Sequence, residues 1–208
     1  IVEKQVKREM PAVAMRYVLR NVLPKPKLFK LLLKAGQMIR PVLPGKLQKK
    51  IPPPELSKHA WPVTKHERQM LILEGCVQPA LAPNINIATA RVLDFLGISL
   101  IKAERAGCCG AVTFHLNEQA DGLAYMRRNI DAWWPWVQQN KIEAIVINAS
   151  GCGVTVKEYG HLLQHDANYA EKARVISELA KDISEVIHFE LGNMTDQLRT
   201  QLQSNQSH

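Results

Sequence analysis

The chain of 208 residues is 46% hydrophobic and 22% charged, enough for one compact domain with an appendage. No apolar run reaches the roughly 18 residues of a membrane span, and the opening IVEKQVKREM has no apolar signal core, so neither a spanning segment nor secretion is expected. Four cysteines are too few for a disulfide scaffold at this size, which places the chain in a reducing cytoplasm.

The net charge of +8 is unevenly spread: residues 1–68 hold 16 Lys and Arg against 4 Asp and Glu, and residues 69–208 hold 11 against 15. A basic arm and linker (1–68) therefore precede a mildly acidic domain (69–191). In the arm, Val6, Met10, Val13 and Tyr17 recur at helical spacing from Val2 to Val22. LPKPK breaks that helix, LFKLLLKAGQMI forms a second, and RPVLPGKLQKKIPPPELSK is a proline-rich connector. The arm has no interleaved aromatics and no binding motif, so nucleic acid is not expected as a partner. Docking on a partner, a missing domain or a membrane surface suits it better.

From Gln69 the pattern changes. QMLILEG is an apolar run suited to a buried parallel strand, NINIATARVLDFLG a helix with a stripe at Ile87, Ala90, Leu93 and Leu96, and ISLIKAE a second strand. NEQADGLAYMRRNIDAWWPWVQQN is a long helix interrupted or restarted at Pro135, and AIVINAS a third strand. VTVKEYGHLLQHD and YAEKARVISELAKDISEVIHF close the domain as helices, and the polar stretch 192–208 is expected to fray. Alternating strands and helices predict an α/β fold with a parallel sheet.

Cys76 follows the first strand, Cys108 and Cys109 the second, and Cys152 the third. Successive parallel strands end on one edge, where open α/β folds bind ligands, so four thiols converge on one rim. Adjacent cysteines rarely bridge each other, which leaves both Cys108 and Cys109 free to face a shared centre. Glycine flanks each position in EGCVQ, AGCCGA and SGCGV, letting backbone approach closely and turn N–H groups toward sulfur. The rim is thus expected to hold a metal or cluster, although buried cysteines beside turn glycines are also common packing residues. His115 could approach the rim but suits a polar place near a helix end. His161 and His165, four apart without the Glu of HExxH, are expected on a solvated face, and DAWWPWV is expected to pack a helix junction. No phosphate loop, nucleophile elbow or triad is present, so no catalytic residue is assigned.

Cys76, a gap of 31 residues, Cys108-Cys109-Gly110, and Cys152-Gly153 after a further 42 residues resemble the cysteine-rich CCG domain of heterodisulfide reductase-like proteins. LEGCVQPALAPNINIATARVLDFLGI, AGCCGAVTFHLNEQADGLAYMRRNIDAWWPWV and ASGCGVTVKEYGHLL, with the arm segment VLPKPKLFKLLLKAGQMIRPVLP, are similar to the iron–sulfur subunits of bacterial glycolate oxidases. In those subunits a ferredoxin-type domain with two [4Fe–4S] clusters precedes two CCG domains. Neither ferredoxin motif occurs here and only one CCG domain does, so the chain is expected to be an internal piece, the arm plus the first CCG domain.

The resemblance implies transfer of electrons from a flavin subunit that oxidises glycolate toward the quinone pool, at the inner face of the cytoplasmic membrane. FAD and the substrate site would belong to partner subunits, and this piece would not itself be catalytic. Cys76, Cys108, Cys109 and Cys152 match four ligand positions of the family, while Thr155 stands at the fifth. A [4Fe–4S] cluster and a structural zinc both remain open, as does a metal-free interaction module. A lactate or glycerol 3-phosphate system is an alternative setting.

Overall fold

The computed structural model describes residues 8–55 and 59–193. Residues 1–7 of the expected first helix and most of the expected fraying tail (194–208) lie outside the described residues. The elements are α1 (Met10–Val22), α2 (Pro26–Ile39), β1 (Arg68–Ile72), α3 (Pro83–Phe95), β2 (Ile98–Lys102), α4 (Ala111–His115), α5 (Gln119–Gln138), β3 (Ile145–Ile147), α6 (Ser150–Lys157), α7 (Ala170–Leu179), β4 (Ala180–Asp182) and α8 (Ile183–Asn193). Single helical turns lie at Gln78–Leu81 and Tyr159–Leu162.

The four strands form one parallel sheet in the order β2-β1-β3-β4. Alternate side chains of each strand point to opposite faces. Leu71, Leu73, Ile145 and Ile147 therefore share one core with Met126, Ile130 and Trp133 of α5, Val156 of α6 and Ile176 of α7. Met70, Ile72, Ile98, Leu100 and Val146 share the other with Ala90 and Leu93 of α3 and Val186 of α8. With both faces covered, the strands read as continuous apolar runs in the sequence.

Two expectations change. The segment after Tyr169 is not one helix: α7 gives way to β4, which pairs with β3 at Ile145↔Ala180 and Ile147↔Asp182. Three residues set inside a helical hydrophobic pattern carry too short an alternation to register as a strand. Nor does α5 break at Pro135, which lies inside the helix. Pro135 is exposed, so the carbonyl it leaves without a helical N–H faces water.

The linker lies along the outer edge of β2. The His66 N–H donates to Ser99 Oγ at 2.7 Å, the His66 ring meets the Asp94 carboxylate at 2.8 Å, and Lys102 Nζ sits 4.1 Å from the centre of the Trp61 ring. This covers a strand edge that would otherwise be open to pairing. The arm helices bury no residue. Arg16 donates to the Leu116 carbonyl at 2.9 Å and Arg20 pairs with Glu118, so α1 docks beside α4.

Gly110 makes the joint between α4 and α5 possible. Its φ is +92°, and a Cβ there would lie 2.6 Å from the Gly122 carbonyl oxygen. Gly110→Ala is expected to destabilise the chain by about 2 kcal/mol or more, read as a lower urea midpoint; an unchanged midpoint would show that the α4–α5 joint is loose.

Candidate metal centre

Because β2, β1 and β3 are neighbours, the segments leaving their carboxyl ends lie side by side. Cys76 sits in the loop after β1, Cys108 and Cys109 in the loop between β2 and α4, and Cys152 in the first turn of α6, just past β3. The structure brings all four together. Cys76, Cys108 and Cys109 are buried and Cys152 is half-buried, and all four are free thiols.

The thiols form a chain of neighbours, in which Cys109 and Cys152 stand at hydrogen-bond distance. Cys76 contacts Cys108, Cys108 contacts Cys109, and Cys109 Sγ donates to Cys152 Sγ at 3.2 Å. Their acidities follow from this order. Cys76 is pushed far up by its bond to Cys108 and then by burial. The contact with Cys109, with burial, pushes Cys108 up to about 11. Cys109 is drawn down by Cys108, but its bond to Cys152 and burial outweigh that and push it up to about 12. Cys152 only accepts, from Cys109, and its acidity moves the other way, below the ordinary thiol value. The chain ends in the one sulfur best able to carry charge.

Two side chains clamp the Cys108–Cys109 backbone. Asn129 of α5, fully buried, accepts the Gly107 N–H at 2.9 Å and donates to the Cys108 carbonyl at 3.0 Å. Tyr159, also fully buried, donates to the Cys109 carbonyl at 2.8 Å, and Asn129 donates to the Tyr159 oxygen at 3.2 Å. Arg128 Nη2 adds a bond to the Cys108 carbonyl at 3.2 Å. Both carbonyls are thus held by protein donors, while the Gly110 N–H donates to Cys108 Sγ at 3.5 Å. The Cys76 loop is steadied by a second network: Asn86 donates to the Glu74 carbonyl at 3.2 Å, and Gln78 and Asn148 each donate to Asn86 Oδ1.

Asn129 and Tyr159 were not singled out from the sequence. Asn129 shares a helical stripe with Met126, Ile130 and Trp133, and an amide on such a stripe is the signal that marks it. The close glycine at Gly107 faces Arg128 rather than the thiols, with a hypothetical Cβ 2.9 Å from Arg128 Nη2. Thr155 is buried and its hydroxyl donates within α6 to the Gly151 carbonyl at 2.9 Å. His115 is exposed at the end of α4, and His161 and His165 are exposed. Trp133 is fully buried in the core through which α5 runs.

The donor set is all sulfur, which suits a thiophilic centre such as zinc or an iron–sulfur cluster. Among the described residues no three His, Cys, Asp or Glu side chains already stand as a ready-made ion site. The thiols are paired with one another instead. A tetrahedral zinc about 2.3 Å from each sulfur sets the sulfurs about 3.8 Å apart, so the 3.2 Å Cys109–Cys152 contact need open only slightly.

Residues 70–157 match the cysteine-rich domain family, CCG. This segment is a CCG cysteine-rich domain. Over 190 residues, 91% of its length, the chain is 52% identical to a protein of Escherichia coli (strain K12) named "Glycolate oxidase iron-sulfur subunit" and covers 46% of that protein. It is 29% identical over 121 residues, 58% of its length, to the "Probable glycolate oxidase iron-sulfur subunit" of Bacillus subtilis (strain 168), covering 26% of that protein. A "Lactate utilization protein A" of Bacillus velezensis is 27% identical over 117 residues, 56% of this chain and 47% of that protein. The chain therefore spans half or less of the length of these relatives. No solved structure matches it. The matched residues include Cys76, Cys108, Cys109 and Cys152, which follow three adjacent strand ends.

Two experiments follow. In protein stripped of metal by a chelator, iodoacetamide at pH 8 is expected to label Cys152 first, since its lowered pKa keeps it more ionised than Cys108 and Cys109, which hold their protons until about pH 11 and about 12. Peptide mass mapping checks the order, and prior labelling of Cys76 would contradict it. Asn129→Leu leaves the Gly107 N–H without its acceptor and is expected to cost about 3 kcal/mol, against about 1–2 for Tyr159→Phe; urea unfolding of the two variants measures the difference.

Proposed function

We propose that this chain is the portion of an iron–sulfur subunit in which Cys76, Cys108, Cys109 and Cys152 ligate a [4Fe–4S] cluster, within a complex that oxidises a small hydroxy acid. The observation that carries the reading is the convergence of four thiols at one sheet edge, with both intervening carbonyls held by protein donors. Such a cluster carries one electron at a time. The chain's own residues supply the thiolates, aim the Gly110 N–H at Cys108 sulfur and exclude water through Asn129 and Tyr159. The resemblance to glycolate oxidase subunits supports electron flow from an FAD-bearing partner toward the quinone pool, with oxidation of glycolate on that partner. The lactate-utilization relative keeps a lactate-oxidising system as the alternative. Catalytic residues are assigned to the partner and none to this chain.

Among the described residues no helix is long and apolar enough to cross a membrane. Helix α2 exposes Leu28, Leu31, Leu32, Met38 and Ile39 beside Lys27, Lys30 and Lys34, which supports a peripheral place at the cytoplasmic membrane face. Structural zinc is the second reading. It is favoured by the compact 3.2 Å sulfur contact and by Thr155 in place of a fifth thiol.

Iron, zinc and acid-labile sulfide should be measured on the anaerobically purified chain together with its visible spectrum. Stoichiometric iron and sulfide, with absorbance lost in Cys108→Ser, is the expected result. Zinc without sulfide would replace the redox reading with the structural one, and neither metal in a folded chain would overturn both. Protons compete with metal for thiols that hold them to about pH 11 and about 12, so metal is expected to leave as pH falls, at a higher pH than from a site of ordinary thiols.

A further inference from the structure

Of the four thiols at the sheet edge, Cys109 and Cys152 present their sulfurs to each other at 3.2 Å. A disulfide needs about 2.05 Å between sulfurs, so the pair must close by about 1 Å. The Cys109 carbonyl is held by Tyr159 at 2.8 Å, which leaves that movement to side-chain rotation and to the first turn of α6, where Cys152 stands. Cys108 does not compete for Cys109, since the ring closed by neighbouring cysteines is strained. Cys76 and Cys108 also touch, and access to solvent separates the two pairs. Cys152 is half-buried, whereas the other three thiols are buried. Beside Cys152, Gly151 is exposed, with nothing within 4 Å of where a Cβ would stand, and Val154 is 59% exposed.

We propose that a hydroperoxide joins Cys109 to Cys152 in the metal-free chain, and that this disulfide closes the sheet edge to metal until a thiol reduces it. The more exposed sulfur reacts first: the Cys152 thiol and hydrogen peroxide give a sulfenic acid and one water. The Cys109 sulfur then attacks the Cys152 sulfur. The S–S bond forms, the S–O bond breaks, and hydroxide leaves with the Cys109 proton as a second water. The two thiols together lose two electrons, and one peroxide is reduced to two waters. A dithiol reverses the step and restores both S–H groups. With the link in place two of the four donors are gone, and Cys76 and Cys108 alone are too few for a tetrahedral zinc or a cluster held only by cysteine. Zinc would hold the same two sulfurs about 3.8 Å apart and so block the link. This regulation rests on the reading of these four thiols as a metal site and adds its control: the edge carries either a metal or a disulfide.

The test uses the full chain, stripped of metal by a chelator, reduced, freed of reductant and treated with roughly one equivalent of hydrogen peroxide. Alkylation of the remaining thiols and peptide mass mapping without reduction then identify the products. The expected product is lighter by two hydrogen atoms, links the Cys109 and Cys152 peptides, and leaves Cys76 and Cys108 alkylated. Cys76→Ser should form the same link and Cys152→Ser none; if a variant does not fold, mapping of the unaltered chain decides. Zinc uptake should fall from about one per chain in the reduced protein to about none in the oxidised one, and return with dithiothreitol. A link between Cys76 and Cys108, a mixture of pairs, or sulfinic acid at Cys152 in place of a link overturns the proposal. A linked chain that takes up zinc as the reduced one does also overturns it, while the metal site stands. A reduced chain that takes up no zinc overturns the metal site and the proposed control with it, whether or not the link forms.

Discussion

Parallel pairing of β1 with β2 on one side and β3 on the other is the constraint from which the thiol cluster follows. Parallel strands deliver their carboxyl ends to one edge, so each following loop starts within reach of its neighbours. Had β4 been placed between β1 and β3, Cys152 would stand a strand's width farther away, about 4.8 Å, and the contact with Cys109 would be lost. Strand order and direction therefore come before any property of the cysteines. The apolar runs MLIL and IVI, with both faces buried, supply the burial that holds that order.

At that edge the problem is electrostatic. Three thiols in low-dielectric surroundings resist ionisation, and only Cys152, half-buried and accepting a bond from Cys109, tends toward charge. Binding a cation would require the others to give up protons that the interior helps them keep. The surrounding backbone is arranged for that demand: the carbonyls of Cys108 and Cys109 are occupied by Asn129, Arg128 and Tyr159, so their negative ends are satisfied within the protein, while the Gly110 N–H is aimed at sulfur. Buried amide and phenol groups are costly unless satisfied, and here each is satisfied by the loop it holds.

The basic arm has a local place in this arrangement. Arg16 and Arg20 tie α1 to the α4 region immediately after the Cys108–Cys109 loop. The linker then crosses the outer edge of β2, fixed by His66 and Trp61. Arm and cysteine loop are thereby joined through α4, although the arm helices bury no residue.

Much of this was legible in the sequence. The three long apolar runs marked β1, β2 and β3, and a cysteine after each marked the edge, because burial on both faces leaves an unbroken apolar signature. The helical stripe of α3 was equally plain. What the sequence left open is what depends on neighbours remote along the chain. β4 lay hidden in a helical pattern, since three residues gain strand geometry only by pairing with β3. Pro135 did not stop α5, since it falls on the solvent face. Asn129 and Tyr159 became positioning groups only when α5 and the turn after α6 met the cysteine loop. The sequence alone determined which residue types reach the rim; the tertiary structure decided which sulfur touches which, because those contacts arise from the lateral order of strands, and no local pattern encodes that order.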